Sequence, residues 1–183
     1  MKEHNALQTL WGSGDPTADR ARKNTAKSMI CPGERKQEIY TPQCIIDGLL
    51  KLWGDIYLDP CSGPESLVPA QCHYSGICLE DDGLQNRWMP RTYVNPPFKH
   101  LKFWLLKAQQ EAVSFPNIVL LCPTRHHRKW FRAALRSADC TIYLNPLKFH
   151  GYKQAFPAPL CLIGWNVTVE RFKDAFKDLG EVL

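Results

Sequence analysis

Two rhythms of apolar residues alternate along this chain. From Tyr40 onward, stretches with apolar side chains three and four positions apart give way to short runs that are apolar throughout, and back again. The first rhythm sets one face of an α-helix against a core, and the second belongs to a strand covered on both faces. Thr41-Pro42 opens the first predicted helix, with Thr41 as N-cap and Pro42 at the first helical position. Its apolar face is Ile45, Ile46, Leu49, Leu50 and Trp53, and Gly54 ends it. Strands are expected over residues 55–59, 76–80, 92–95, 118–122, 141–144 and 160–165. Further helices are expected over residues 99–113, 127–137 and 168–179, and a loop over 145–158. This alternation predicts an α/β fold with a largely parallel central sheet, in which ligands bind beyond the carboxyl ends of the strands. Residues 1–37 lack the pattern and read as a flexible or partly helical arm, and residues 38–183 as one compact domain.

Composition narrows this picture only a little. No run approaches the roughly 18 apolar residues of a membrane span, and residues 1–11 lack the apolar centre of a signal peptide, so a cytoplasmic protein is expected. The eight cysteines include no CxxC pair, and several sit inside apolar runs, as Cys122 and Cys161 do. Such thiols behave as small hydrophobes in a reducing compartment. Cys72, His73 and Cys78, or the pair His126-His127, do not make a zinc set, so no metal is expected.

Charge is more informative in its distribution than in its total. The net +5 divides into +2 over residues 1–40, −4 over 41–98, +8 over 99–153 and −1 over 154–183. A basic third beside an acidic third fits two ligands of opposite charge, one of them nucleic acid, or else a lopsided solvated surface.

The predicted strand ends carry the chemistry. Asp59-Pro60-Cys61-Ser62-Gly63, Glu80-Asp81-Asp82-Gly83 and Asn95-Pro96-Pro97-Phe98 are polar, stiff segments. A residue before proline is driven to extended geometry, and proline itself presents a carbonyl without an N–H. Asn95 and Pro96 therefore offer two acceptors side by side, suited to both protons of an exocyclic amino group, with Phe98 as a flat face for a planar ring. An aryl amine is a poor nucleophile because its lone pair is delocalised. Accepting both its protons favours a pyramidal nitrogen with a localised pair, and in-line placement of a methyl donor supplies the remainder.

The ordered series Tyr40-Thr41-Pro42, Leu58-Asp59-Pro60-Cys61-Ser62, Val68-Pro69-Ala70, Asp81-Asp82-Gly83-Leu84 with Trp88, Val94-Asn95-Pro96-Pro97-Phe98 and Lys129-Trp130-Phe131 resembles the compact DNA N6-adenine methyltransferases of phages and prophages, the phage Dam type. The likeness runs from Tyr40 to Trp165. It implies a Rossmann-like methyltransferase fold and S-adenosylmethionine as cofactor. In that likeness Tyr40, Thr41 and Pro42 contact the methionine end of the cofactor. Asp59, Pro60, Ser62 and Gly63 form the first cofactor loop, and Asp82, with Asp81 as second choice, binds its adenosine. Asn95, Pro96, Pro97 and Phe98 are the catalytic set. The first loop departs from the family in having one glycine, Gly63, and the 23 positions from Asp59 to Asp82 are few, so residues 65–75 read as abbreviated or irregular. The acid for the cofactor ribose is not identifiable; Glu65 and Glu80 are candidates.

Double-stranded DNA is the expected partner, met by a monomer or homodimer. Lys99, Arg125, His126, Arg128, Lys129, Lys148 and Lys153 are expected to meet the phosphates, and residues 145–158, with Phe149, Tyr152 and Phe156, form the loop expected to border the base. The basic segment at 124–129 should lie at the same sheet edge as Asn95–Phe98. The alternatives are methylation of another planar amino group, in an RNA base or a protein glutamine, and a non-catalytic relative that binds DNA or cofactor.

Overall fold

A computed structural model describes residues 39–114 and 117–182. The arm expected at 1–37 lies outside the described residues. The first helix of the described residues, α1, is Gln43–Trp53. Pro42, not Thr41, is its N-cap: Pro42 has φ −65° and ψ 148°, and its carbonyl accepts from Ile45 and Ile46 N–H at 3.1 and 3.3 Å. No side chain caps the helix, because proline has no polar side chain to offer and the Thr41 hydroxyl is engaged elsewhere. Gly54 stops α1 with φ +87° and donates to Leu50 at 2.7 Å, a left-handed turn open to glycine without a Cβ penalty.

The strands are β1 (Ile56–Asp59), β2 (Ala70–His73), β3 (Thr92–Val94), β4 (Ile118–Pro123), β5 (Cys140–Leu144), β6 (Leu160–Trp165) and β7 (Gly180–Val182), joined in one sheet of order β2-β1-β3-β4-β6-β5-β7. Pairings β1–β2, β1–β3 and β3–β4 are parallel, and β4–β6, β5–β6 and β5–β7 antiparallel. Five of the seven strands thus point one way, with β6 and β7 opposed. The other helices of the described residues are α2 (Leu101–Glu111), α3 (Lys129–Ser137) and α4 (Val169–Phe176), with single turns of 3-10 helix at Leu79–Asp81 and Phe98–His100.

β2 and β7 fall where no strand was expected, and the strand expected at 76–80 is a turn with a 3-10 helix. Ala70–His73 is an edge strand, largely exposed, and so has no apolar alternation to betray it. Ile77, which made 76–80 look strand-like, is 70% exposed. β7 is likewise an edge strand, made of Gly, Glu and Val.

β4 and β6 are buried along their whole length, which is why they read as unbroken apolar runs. Val119 and Leu121 join Ile46 and Leu49 of α1 and Phe172 and Phe176 of α4 in one cluster. By strand alternation Ile118, Leu120 and Cys122 face the other side, where α2 and α3 pack on each other and bury Trp104, Leu105, Phe131 and Ala134. Burying a leucine- or phenylalanine-sized side chain contributes about 1.5–3 kcal/mol, so each face anchors the sheet firmly.

Strand order sets where a ligand can enter. From β1 the chain passes to β2 on one side and then to β3 on the other. The carboxyl ends of β1 and β3 flank that reversal, the place at which open α/β sheets form their ligand crevice.

Candidate active site

Asp59 ends β1, and Asn95 follows β3 directly. Leu58 pairs with Thr92, so the loops after both strands leave the sheet side by side. The two loops are joined: the Cys61 thiol donates to the Asn95 main-chain carbonyl at 3.2 Å. The other side of the β1 loop is stitched to the end of β2, with Tyr74 N–H donating to the Asp59 carbonyl and Ser62 N–H to the Tyr74 carbonyl, both at 3.0 Å.

Asn95 is buried, and its amide has a defined orientation. The side-chain nitrogen donates to the Ile39 carbonyl at 2.8 Å and to the Thr41 hydroxyl at 3.1 Å. With the nitrogen end so engaged, the carbonyl is the end of the amide that faces away from these anchors. Thr41 Oγ1 lies 3.1 Å from the hydroxyl of Tyr93, which is fully buried on β3. Tyr93 and Asn95 are two residues apart on an extended chain and share a face. The Pro97 carbonyl accepts from His100 N–H at 3.0 Å, while among the described residues no main-chain donor takes the Pro96 carbonyl. Phe98 is half-buried and meets Phe149 and Phe156 edge-on, at 6.3 and 5.4 Å between ring centres.

Asp59 is 4% exposed. It accepts from Cys61 N–H at 3.1 Å and from the Ser66 hydroxyl at 3.3 Å. Burial pushes its carboxyl up to about 6, against the opposing pull of these hydrogen bonds and of His73. Among the described residues no lysine or arginine pairs with it. Tyr40 is half-buried, Pro60 and Ser62 are buried, and Gly63 accepts through its carbonyl from Ser62 Oγ at 3.3 Å and Ser66 N–H at 3.1 Å.

The two expected adenosine acids differ in setting. Asp82 is 1% exposed and its Oδ1 takes the Leu84 N–H at 3.0 Å. Asp81 is half-buried and folds back to accept from the Ser75 main-chain N–H at 3.0 Å and from the Ser75 hydroxyl. Gly83 lies so close to the β1 loop that a Cβ there would sit 1.9 Å from the Pro60 carbonyl oxygen. Pro60, Cys61, Ser75, Gly76, Asp82, Gly83 and Trp104 line a narrow crevice. Trp88 closes it from behind: its indole N–H donates to the Gly83 carbonyl at 2.7 Å, its ring stacks on Trp104, and its main-chain N–H donates to the buried Glu111 at 3.1 Å. Glu65 and Glu80 are both exposed.

The basic residues fall at the same sheet edge. Val94 pairs in parallel with Leu120, three residues before the end of β4, so residues 124–129 leave the sheet where Asn95–Phe98 leaves it. Arg128 and Lys129 are exposed there, as are Lys99, Lys148 and Lys153. Arg125 is half-buried and donates to the Thr124 carbonyl, and His126 stacks on Tyr143 at 5.5 Å. A cavity of about 540 Å³ opens beside this edge, lined by Ile39, Phe149, Tyr152, Lys153, Gln154 and Phe156 among others. Among the described residues no His, Cys, Asp and Glu cluster is placed to hold a metal, and no helix is long and apolar enough to cross a membrane.

A seven-stranded mixed α/β sheet flanked by helices has a methyltransferase-like architecture. Residues 28–155, well over half of the chain, match the family model described as DNA N-6-adenine-methyltransferase (Dam). The chain belongs to this family, which is one of enzymes that methylate adenine in DNA. No curated protein matches it.

Sequence reasoning missed Cys61, Tyr93 and Ile39 as parts of the site. Tyr93 was within reach, since a residue two places before Asn95 on a strand must share its face. The Ile39 carbonyl and the Cys61 thiol gain their roles from neighbours distant in sequence, which no local pattern records.

Proposed function

We propose that this enzyme transfers the methyl group of S-adenosylmethionine to N6 of an adenine turned out of double-stranded DNA. One observation carries the reading: the Asn95 amide is anchored through its nitrogen to Ile39 and Thr41, beside a Pro96 carbonyl, at the strand-order reversal. Held this way, the Asn95 and Pro96 carbonyls accept the two protons of the adenine amino group and localise its lone pair for attack. Phe98, propped edge-on by Phe149 and Phe156, stacks on the base, and such stacking contributes about 1–3 kcal/mol per base towards the cost of extrusion.

Asp59 fits the cofactor's cationic end. A carboxyl that burial holds up to about 6, with no lysine or arginine partner among the described residues, gains most from an incoming ammonium group. Tyr40, Thr41, Pro42 and Gly63 border the same end, and the loop bearing Asp81 and Asp82 takes the adenosine. The bound cofactor supplies an electrophilic methyl on a sulfonium. Lys99, Arg125, His126, Arg128, Lys129, Lys148 and Lys153 meet the phosphates, which gives sequence-blind affinity.

The test is incubation with methyl-labelled S-adenosylmethionine and unmethylated duplex DNA, followed by nucleoside analysis. Label on N6-methyladenine is the expected result. Label in RNA or protein and none in DNA overturns the substrate, and no cofactor binding at all overturns the enzymatic reading.

A further inference from the structure

Asn95 is useful only if its carbonyl stays turned towards the substrate, and a side-chain amide can rotate half a turn at little intrinsic cost. The Ile39 carbonyl and the Thr41 hydroxyl oppose that rotation, accepting from the amide nitrogen at 2.8 and 3.1 Å. The first is main chain and can only accept. The second is a rotor that can donate as well as accept, so by itself it would tolerate either amide orientation.

We propose that Tyr93 is a positioning residue, which acts through Thr41 to hold the Asn95 amide in its productive orientation. This rests on the assignment of Asn95 as the acceptor of the adenine amino group. The Tyr93 hydroxyl lies 3.1 Å from Thr41 Oγ1. The ring is fully buried on β3, in the cluster formed with α1 and α4, so it cannot swing away. Its burial pushes the phenol well above its ordinary range, so the hydroxyl keeps its proton and engages Thr41 as a neutral group at every working pH. A hydroxyl has one proton and two lone pairs. With Tyr93 as its second partner, the Thr41 oxygen keeps a lone pair for the Asn95 nitrogen. Without Tyr93 the Thr41 proton is free to turn towards Asn95, where it favours the flipped amide. The chain Tyr93–Thr41–Asn95 spans the N-terminus of α1 and the end of β3, and so also holds the helix entry against the catalytic loop.

The variants are Tyr93→Phe, Thr41→Val and Thr41→Ser, with Asn95→Ala as reference, assayed on unmethylated duplex DNA. Removing either hydroxyl should lower kcat by about 10- to 100-fold, the scale of a misplaced catalytic group. KM for DNA should stay within about twofold, and the double variant Tyr93→Phe/Thr41→Val should be no worse than the poorer single one, since both break one chain. Thr41→Ser keeps the hydroxyl and should retain most of the turnover. Cofactor affinity is measured separately by calorimetry, because Thr41 also borders the proposed methionine end, whereas Tyr93→Phe should leave it unchanged. Independently of activity, the side-chain ¹⁵NH₂ resonances of Asn95 should move or broaden in Tyr93→Phe.

Wild-type turnover in Tyr93→Phe with unaltered Asn95 resonances overturns the proposal, as does a defect confined to cofactor affinity. A fully active Asn95→Ala overturns instead the role of Asn95 on which it rests. The two failures are therefore distinguishable.

Discussion

Cys61 and Asn95 are 34 residues apart in sequence, yet the thiol of one donates to the main-chain carbonyl of the other at 3.2 Å. The contact fastens the loop after β1 to the loop after β3 across the strand-order reversal. The loop of the acid proposed to meet the cofactor is thereby tied to the loop of the amide proposed to meet the base. For methyl transfer this matters, because donor and acceptor must be held in line, and small misplacements are costly.

Replacing Asn95 by Ala should reduce turnover by about 10²–10³-fold, the cost of losing one preorganised polar group aimed at developing charge. Cofactor affinity should hardly change, since Asp59 and its loop are untouched. Single-turnover methylation together with calorimetric titration of the cofactor checks both halves of this expectation. Unaltered turnover removes Asn95 from the mechanism.

Asp59 should make the protein pH-dependent in two opposite ways. Burial raises its carboxyl from 3.8 to about 6, so between those values the folded chain holds a proton that the unfolded chain has released. Stability of the ligand-free protein therefore falls as pH rises from about 4 to 6, by about 2–3 kcal/mol at most. Asp59→Asn should lose that dependence, as measured by chemical denaturation across the window. In the proposed role Asp59 meets the cofactor's ammonium group as an ionised carboxylate, so affinity should fall as pH drops below about 6, approaching tenfold per unit. A cofactor dissociation constant that is flat across this window and on to neutral pH separates Asp59 from the cofactor.

Gly83→Ala should lower stability by about 1–3 kcal/mol, the usual range for overpacking. The added methyl would lie 1.9 Å from a main-chain oxygen of Pro60, which cannot move without shifting the β1 loop. Cofactor affinity should fall together with melting temperature. A neutral substitution would mean that the loop gives way freely.

Changing Arg125, Arg128 and Lys129 together to Gln should weaken DNA binding and make the slope of log K against log salt about 3 units shallower, near one unit for each phosphate no longer neutralised. Fluorescence anisotropy over a salt series measures the slope. Folding should be little affected, since Arg128 and Lys129 are exposed and the Arg125 guanidinium bonds to the neighbouring Thr124 carbonyl. An unchanged slope would make the segment ordinary solvated surface.

What could be read along the chain follows from burial. β4 and β6 are covered on both faces and declare themselves as apolar runs; α1 and α4 each have one covered face and declare themselves by helical spacing. β2 went unread because an exposed edge strand is under no such constraint, and residues 76–80 misled because an apolar Ile77 stands in solvent. Thr41 reads as a helix cap on local chemistry. In the folded chain its hydroxyl joins Tyr93 and Asn95, partners more than fifty residues away, and Pro42 takes the cap position.

By itself, the sequence determined the α/β alternation, the stiff Asn-Pro-Pro-Phe segment after a strand, the family, and a −4 stretch followed by a +8 stretch. Stiff prolines and periodic apolar faces act locally, and local effects are legible in one dimension. Only tertiary structure decided that Asp59 and Asn95 flank one strand-order reversal, that the Asn95 amide points its carbonyl away from Ile39 and Thr41, and that residues 124–129 leave the sheet at the same edge. Those relations arise from strand order and burial, which bring distant residues within hydrogen-bond reach and set the dielectric around them.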